Sequence, residues 1–133
     1  MSIQNPNLLY QNNAVATASP GDLIVMLYNG CLKFITTAKQ AIINHDIPLK
    51  NTMIQKAQKI IQELMVTLNP EVMLSESLLS LYDYMHRRLI QANIETNIRY
   101  LEEVESYLVD LRDTWKEVVR MQPRTLYRSG DCV

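Results

Sequence analysis

Apolar side chains recur every three or four residues through most of the chain, and this period predicts amphipathic helices. Breaks that contain Asn or Pro separate four such segments. The pattern predicts helices over about residues 20–44, 51–68, 75–92 and 95–121. No segment alternates apolar and polar residues as a half-buried strand would. The chain is therefore predicted to be all-α.

Local signals mark where the predicted helices begin and end. Ser19 is a good N-cap, Pro20 suits the first helical position, and Asp22 lies three residues after the cap. The later breaks are at Pro48, Asn69–Pro70, Asn93 and Pro123. Four amphipathic helices of similar length with short links predict an antiparallel four-helix bundle.

Length and pattern together predict one domain over residues 1–133. Residues 1–18 contain no charged side chain and are predicted to form an irregular or partly helical N-terminal arm. Residues 19–121 form the predicted bundle, and residues 122–133 are polar and turn-rich, which predicts a flexible C-terminal tail.

Charge and hydropathy exclude several classes of partner. The formal net charge of −1 gives no global electrostatic case for binding nucleic acid or an anionic membrane. The N-terminus has no signal-peptide pattern, and the longest apolar run, Leu23–Tyr28, is far shorter than the ~20 residues that span a bilayer. We therefore expect a cytoplasmic protein without membrane insertion. Cys31 and Cys132 fit no disulfide framework, and Cys31 is predicted to be a small buried hydrophobe.

The first predicted helix is apolar over an unusually wide arc. On a helical wheel Val25, Leu32 and Ile43 lie beyond the expected core side, so the arc spans about 200° instead of about 100°. The expected core side holds Leu27, Cys31, Phe34, Ala38 and Ile42. A neighbouring helix, the N-terminal arm or another protein would cover the extra flank. The plain alternative is a central helix that touches two neighbours.

Signals of catalysis are weak. The sequence has no Gly-rich phosphate loop, no Gly-x-Ser-x-Gly elbow and no Cys-x-x-Cys pair. A di-iron bundle needs Glu-x-x-His on two helices, and Asp83–His86 is a single approximate match. His86 is also a candidate for phosphotransfer, because such modules present an exposed His on a four-helix bundle, but the Lys and small residue that usually follow the His are replaced here by "HRRLIQ". We therefore expect a protein that is not an enzyme and has no metal site, with phosphotransfer through His86 as the alternative.

Three tyrosines are the more credible surface contacts. Tyr84 projects away from the core stripe of the third helix, and Tyr100 and Tyr107 lie seven residues apart on one edge of the fourth. Tyr is favoured where one end of the side chain is apolar and the other is wet. A bundle with excess apolar surface and no catalytic set fits a binding module whose groove receives a partner helix or extended segment.

Three stretches of the chain also have a distinctive residue pattern: "YQNNAVATASPGDLIVMLYNGCLKF" (Tyr10–Phe34), "LYDYMHRRLIQAN" (Leu81–Asn93) and "LEEVESYLVDLRDTW" (Leu101–Trp115). In this order and spacing they resemble the family of flagellin-specific export chaperones, FliS, over roughly residues 8–119. Asn29 departs mildly from the family pattern, in which we expect Asp.

The resemblance implies an antiparallel helical bundle that uses no cofactor. It implies binding of the C-terminal segment of flagellin, which is disordered in the free monomer. Such binding prevents premature polymerisation in the cytoplasm and helps to deliver the subunit to a component of the flagellar export gate. A disordered segment pays an ordering cost on binding, so its partner needs a long apolar surface.

The N-terminal arm has an expected role in this mechanism. Residues 3–15 are expected to fold back over an apolar groove in the free protein and to be displaced, at least partly, by flagellin. The expected partner contacts are Ile3, Leu8 and Tyr10 in the arm, Val25, Tyr28 and Leu32 in the first helix, Ile54 and Ile61 in the second, and Tyr100 and Tyr107 in the fourth. Tyr28, Ile54 and Ile61 are equally compatible with pure core packing. A homodimer that forms through the extra apolar flank is a further alternative for the free protein.

Overall fold

The computed structural model describes residues 20–120, and these residues form four helices. The helices are α1 (Pro20–Ile43), α2 (Ile47–Thr67), α3 (Met73–Glu95) and α4 (Ile98–Arg120). No residue in this part of the chain is in a strand. The predicted all-α four-helix fold is confirmed, while Ser19 and the predicted arm and tail lie outside the described residues.

The helices pack as a closed ring. α1 lies between α2 and α4, and α3 lies between the same two helices on the opposite side. The links are too short for a crossover, so consecutive helices run antiparallel. At one end, here called the α2–α3 end, α2 and α4 finish and α1 and α3 begin. At the other, the α1–α2 end, α1 and α3 finish and α2 and α4 begin.

The turn between α1 and α2 is tighter than the sequence pattern predicts. α2 begins at Ile47, although Pro48 was expected to break the helical pattern until residue 51. That expectation is wrong because Pro48 lies in the first turn, where the missing N–H has no helical partner to lose. The Asp46 side chain caps the helix by accepting a hydrogen bond from the Leu49 N–H at 3.2 Å.

The third helix is longer than predicted at both ends. It begins at Met73 and passes Asn93, the expected break, to end at Glu95. Thr96 then takes a left-handed backbone conformation with φ of 51°, and its N–H bonds back to the Ala92 carbonyl. A left-handed residue after the last turn is a common way to end a helix, and here it is not a glycine.

The core runs along the axis of the ring and is largely aliphatic. Two tyrosines are part of it: the hydroxyls of Tyr28 and Tyr82 share a buried hydrogen bond between α1 and α3. Cys31 is fully buried, as predicted, and its thiol lies 3.6 Å from the Ala57 carbonyl oxygen. These buried polar atoms therefore have hydrogen-bond partners inside the bundle, as buried polar groups usually do.

The buried face of α1 is rotated from the predicted one. Its most buried residues are Ile24, Tyr28, Cys31, Ile35, Ala38 and Ala41. Leu27, Phe34 and Ile42, which were expected to form the core side, are only partly buried. The wheel gave the direction of the apolar arc but not the positions of the two neighbouring helices that cover it.

The flank of α1 that contains Val25 and Leu32 faces α4. Gly21, Val25, Leu32 and Lys39 follow one another at spacings of four, seven and seven residues, so they share one flank. The Trp115 indole N–H donates to the Gly21 carbonyl at 3.0 Å, and Lys39 pairs with Glu105 at 2.7 Å.

The opposite flank of α1 faces α2. A Cβ atom on Gly30 would lie 3.4 Å from Ile60, and the Lys56 ammonium lies 5.5 Å from the centre of the Phe34 ring. The wide apolar arc is thus explained by two neighbouring helices, which was the plain alternative. Ile43, at the end of α1, is the exception and remains 59% exposed.

Candidate functional site

The ten expected partner contacts fall into separate parts of the molecule. Ile3, Leu8 and Tyr10 lie outside the described residues. Tyr28, Ile54 and Ile61 are at most 2% exposed, so no partner reaches them while the bundle is closed. The structure favours core packing for these three residues, which the sequence analysis had left open.

Val25 and Leu32 lie together along the seam between α1 and α4. Leu32 is 9% exposed and belongs to the core, whereas Val25 is partly buried at its edge. Val25 is therefore the more accessible of the two. Because α4 covers this seam, Val25 exposes only part of its apolar side chain to solvent.

Tyr100 and Tyr107 lie at the surface between α3 and α4, where they form a cluster with Tyr84 and Arg88. The Arg88 guanidinium lies 4.4 Å from the centre of the Tyr100 ring and 5.4 Å from that of Tyr84. The Tyr84 and Tyr107 rings meet edge to face with their centres 6.2 Å apart. The sequence therefore identified three members of a real cluster, but not the arginine at its centre.

Hydrogen bonds fix the polar atoms of this cluster. Arg88 Nε donates to Glu103 at 2.9 Å and to the Tyr84 hydroxyl at 2.9 Å, and its Nη1 donates to Gln91 at 2.9 Å. The Tyr84 hydroxyl donates to the second Glu103 oxygen at 2.6 Å. This bond raises the pKa of Tyr84, because ionisation would remove the donated proton and face the carboxylate with a like charge. The charges are mutually satisfied, so the cluster mainly ties α3 to α4.

Apolar residues are left exposed along α3, and the sequence analysis missed them. Leu79 is 43% exposed, Ile90 37% and Ile94 78%. Their spacings of eleven and four residues place them on one side of the helix, here called the α3 stripe. A wheel of the third helix would have revealed the stripe, because these residues fall outside the core positions at Tyr82, Met85 and Leu89.

The α1–α2 end adds further apolar surface next to Ile94. Ile43 and Ile47 are 59% and 44% exposed on either side of the turn between α1 and α2. The Lys50 ammonium, near the start of α2, donates to the Asn93 carbonyl at 2.9 Å and so holds this turn close to the end of α3. The α3 stripe and the turn therefore form adjacent apolar surfaces, which is the arrangement that an amphipathic partner needs.

His86 as a residue is only partly buried, but its Nε2 does not reach solvent. Its Nε2 is buried and has no hydrogen-bond partner in the structure, as is also true of Asn93 Oδ1, seven residues later on the same side of α3. A phosphoacceptor nitrogen must reach solvent and a phosphodonor. The structure therefore gives the phosphotransfer alternative no support.

Residues 20–120 contain neither a metal-binding cluster nor a membrane-spanning helix. In this region no group of three or more His, Cys, Asp or Glu side chains is arranged to hold a metal ion. None of the four described helices combines the length and the hydropathy needed to cross a bilayer.

Comparisons with known proteins give one consistent result. Residues 3–122 match the family described as flagellar protein FliS. The flagellar secretion chaperone FliS of Bacillus subtilis (strain 168) is 53% identical over 130 residues, which cover 98% of each chain. The protein of that name from Escherichia coli (strain K12) is 36% identical over 108 residues, 79% of each chain. A crystal structure of a bacterial flagellar chaperone shares the fold with a TM-score of 0.73 at 18% identity, covering 88% of this chain and 100% of that one.

Proposed function

The chain belongs to the FliS family of flagellar secretion chaperones, and from this premise we propose that it binds the disordered C-terminal segment of flagellin. In this proposal it acts in the cytoplasm, prevents premature polymerisation and presents the subunit to a component of the export gate. The observation that carries the proposal is the 53% identity to a flagellar secretion chaperone over nearly the full length of both chains.

The exposed apolar residues support this proposal. A client segment that orders on binding must offset a large conformational entropy cost, and burial of apolar area is the main source of free energy for that. The α3 stripe and the turn residues Ile43 and Ile47 supply such area without opening the core. Tyr100 and Tyr107 supply partly buried aromatic rings on the α3–α4 surface.

In this proposal the other expected contacts have indirect or edge roles, because the core is closed. Tyr28, Ile54 and Ile61 support the surface from beneath, because they are buried in the ring. Val25 contributes as a partly exposed edge residue between α1 and α4. The N-terminal arm, with Ile3, Leu8 and Tyr10, is proposed to cover apolar surface in the free protein and to be displaced by the client.

Calorimetric titration of the full chain with a flagellin C-terminal peptide tests the proposal directly. We expect saturable binding at one peptide per chain with a negative heat-capacity change, because apolar surface is buried. Amide exchange of the complex should show added protection along α3 and at the α1–α2 end. Absence of binding, with the protein folded by circular dichroism, would contradict the proposed client.

Sedimentation separates the chaperone from a bundle that only self-associates. We expect the complex to sediment as one chain with one peptide, and any homodimer of the free protein to be replaced by that heterodimer. A homodimer that persists unchanged at saturating peptide would instead favour the self-association alternative.

His86→Gln is expected to leave peptide binding intact.

A further inference from the structure

The α2–α3 end bears exposed apolar side chains that the proposed function does not use. Val66 is 71% exposed on the last turn of α2, and Met73 and Leu74 are 92% and 57% exposed at the start of α3. A short turn, closed by a hydrogen bond from the Val72 N–H to the Asn69 carbonyl, joins the two helices and keeps them together. An exposed cluster of this kind generally marks a contact surface.

Acidic side chains without nearby basic residues flank these apolar residues along the chain. Between Lys59 and Arg87 the chain has four acidic residues and no Lys or Arg. Asp83 pairs with Arg87, whereas the other three have no ion-pair partner among residues 20–120. Together they form the turn patch, which consists of Val66, Met73 and Leu74 with Glu63, Glu71 and Glu76.

The chain itself supplies a segment that complements the turn patch. The described part of α4 reaches Arg120, at the same end of the ring as the start of α3, and residues 121–133 follow it in the sequence. Thirteen residues reach about 43 Å when extended, whereas neighbouring helix axes lie about 10 Å apart. The patch is therefore well within reach of this segment.

The chemistry of residues 121–133 matches that of the patch. The segment contains two Arg, one Asp and several apolar residues, among them Leu126 and Tyr127 between Arg124 and Arg128. Residues 1–18 contain no charged side chain and therefore offer the carboxylates no countercharge. Of the two segments that lie outside the described residues, only the C-terminal one fits in both charge and hydropathy.

We propose that residues 121–133 dock on the turn patch of their own chain. Leu126 and Tyr127 cover Met73 and Leu74, and the two arginines pair with the surrounding glutamates. The segment thereby shields an apolar end of the bundle from a second copy. This proposal is independent of the client, because it involves neither the α3 stripe nor the α1–α2 end.

Cys132 allows a direct test in the full chain. A thiol-reactive spin label attaches at Cys132, while Cys31 stays unlabelled because it is fully buried and burial raises the pKa of its thiol. The expected result is paramagnetic broadening of the amides of residues 63–76, with the α1–α2 end unaffected. Uniform broadening of the amides of all four helices would overturn the proposal. Broadening limited to the last turn of α4 would overturn it as well.

Charge reversal tests the pairing. Arg124→Glu with Arg128→Glu is expected to abolish the selective broadening, and adding Glu71→Lys with Glu76→Lys is expected to restore it. Lys33→Glu with Arg99→Glu changes the net charge by the same amount at exposed positions away from the patch and should preserve the broadening. Failure of the swapped variant to recover, with its fold intact by circular dichroism, counts against the proposed pairs.

A mixed sample identifies the chain that contributes the tail. Spin-labelled protein without ¹⁵N is combined with unlabelled ¹⁵N protein, so that broadening reports only contacts between copies. We expect none at the patch. Selective broadening of residues 63–76 in this mixture would show that a second copy occupies the patch and would refute docking within one chain.

Discussion

At the scale of single residues, the bundle accommodates two buried polar groups, Lys50 and Cys31, in different ways. Lys50 is 3% exposed, although Lys is almost never buried without a partner. Its ammonium donates to the carbonyl of Asn93 in the last turns of α3, where a cation also faces the negative end of the helix dipole. Cys31 presents the opposite case, since its thiol is buried among apolar side chains and stays neutral.

Lys50→Met tests the residue that links α2 to the end of α3. The substitution keeps an apolar stem and removes the ammonium, so it leaves the Asn93 carbonyl without this donor. We expect a loss of about 1–3 kcal/mol in the free energy of unfolding, measured by urea denaturation. Lys59→Met, at an exposed position of the same helix, should change stability by less than about 0.5 kcal/mol. A more stable Lys50→Met variant would show that desolvation of the ammonium outweighs its hydrogen bond.

Cys31 makes stability depend on pH in the alkaline range. Burial raises the pKa of the Cys31 thiol, whereas the unfolded chain ionises near its ordinary value of about 8.5. Above that pH the unfolded state binds fewer protons than the folded state, so stability falls as pH rises. Between pH 7.5 and 9.5 we expect the protein to lose about 1 kcal/mol more than Cys31→Ala does. Equal losses in the two proteins would show that this thiol does not contribute.

At the scale of the helices, the ends are decided by caps and turns that apolar periodicity does not report. Asp46 starts α2 four residues earlier than the pattern predicts, and Thr96 lets α3 continue past Asn93. The outward sides of the helices differ as well. α3 alone carries the exposed stripe of Leu79, Ile90 and Ile94 through the middle and end of its length.

Asp46→Ala tests the cap of α2. The change removes the acceptor for the Leu49 N–H, and we expect it to lower the free energy of unfolding by about 1 kcal/mol. Asp46→Asn is the matched control, since Asn caps nearly as well as Asp and should retain most of the stability. If both variants lose the same amount, the charge rather than the cap is responsible.

Ile94→Asp tests the α3 stripe as a client surface. The residue is 78% exposed, so its replacement should leave the fold intact while placing a charge in the apolar contact. We expect affinity for the flagellin C-terminal peptide to fall roughly tenfold, measured by calorimetry. Ser77→Asp adds the same charge at an exposed position of the same helix away from the stripe and should bind as the unmodified protein does. Unchanged affinity in Ile94→Asp would exclude this part of α3 from the interface.

At the scale of the whole molecule, the bundle combines a closed core with apolar surface on α3 and at the α1–α2 end. Because the core is closed and the exposed apolar side chains lie outside it, the proposed client surface is accessible without opening the bundle. The segment proposed to cover this surface in the free protein is the N-terminal arm. Residues 121–133 are proposed to dock at the opposite, α2–α3 end.

Deletion of residues 1–15 tests the arm in the context of the full bundle. If these residues cover apolar surface in the free protein, their removal relieves a competitor, and peptide affinity should rise several-fold while solubility falls. Calorimetry and sedimentation measure the two effects. Replacing Ile3, Leu8 and Tyr10 by Ser in the full-length chain should reproduce them, which separates apolar contact from chain length. An arm whose loss changes neither quantity is passive.

The sequence by itself determined the fold class, the number of helices and their antiparallel order, because periodicity and short links leave few other arrangements. It also identified Tyr84, Tyr100 and Tyr107 as surface aromatics, since their angular positions depend only on their own helices. Only the tertiary structure showed that α4 faces Val25 and Leu32, that Arg88 centres the tyrosine cluster, and that His86 Nε2 is buried. Those facts depend on which helix lies beside which, and a helical wheel contains the direction of a side chain but not the neighbour it meets.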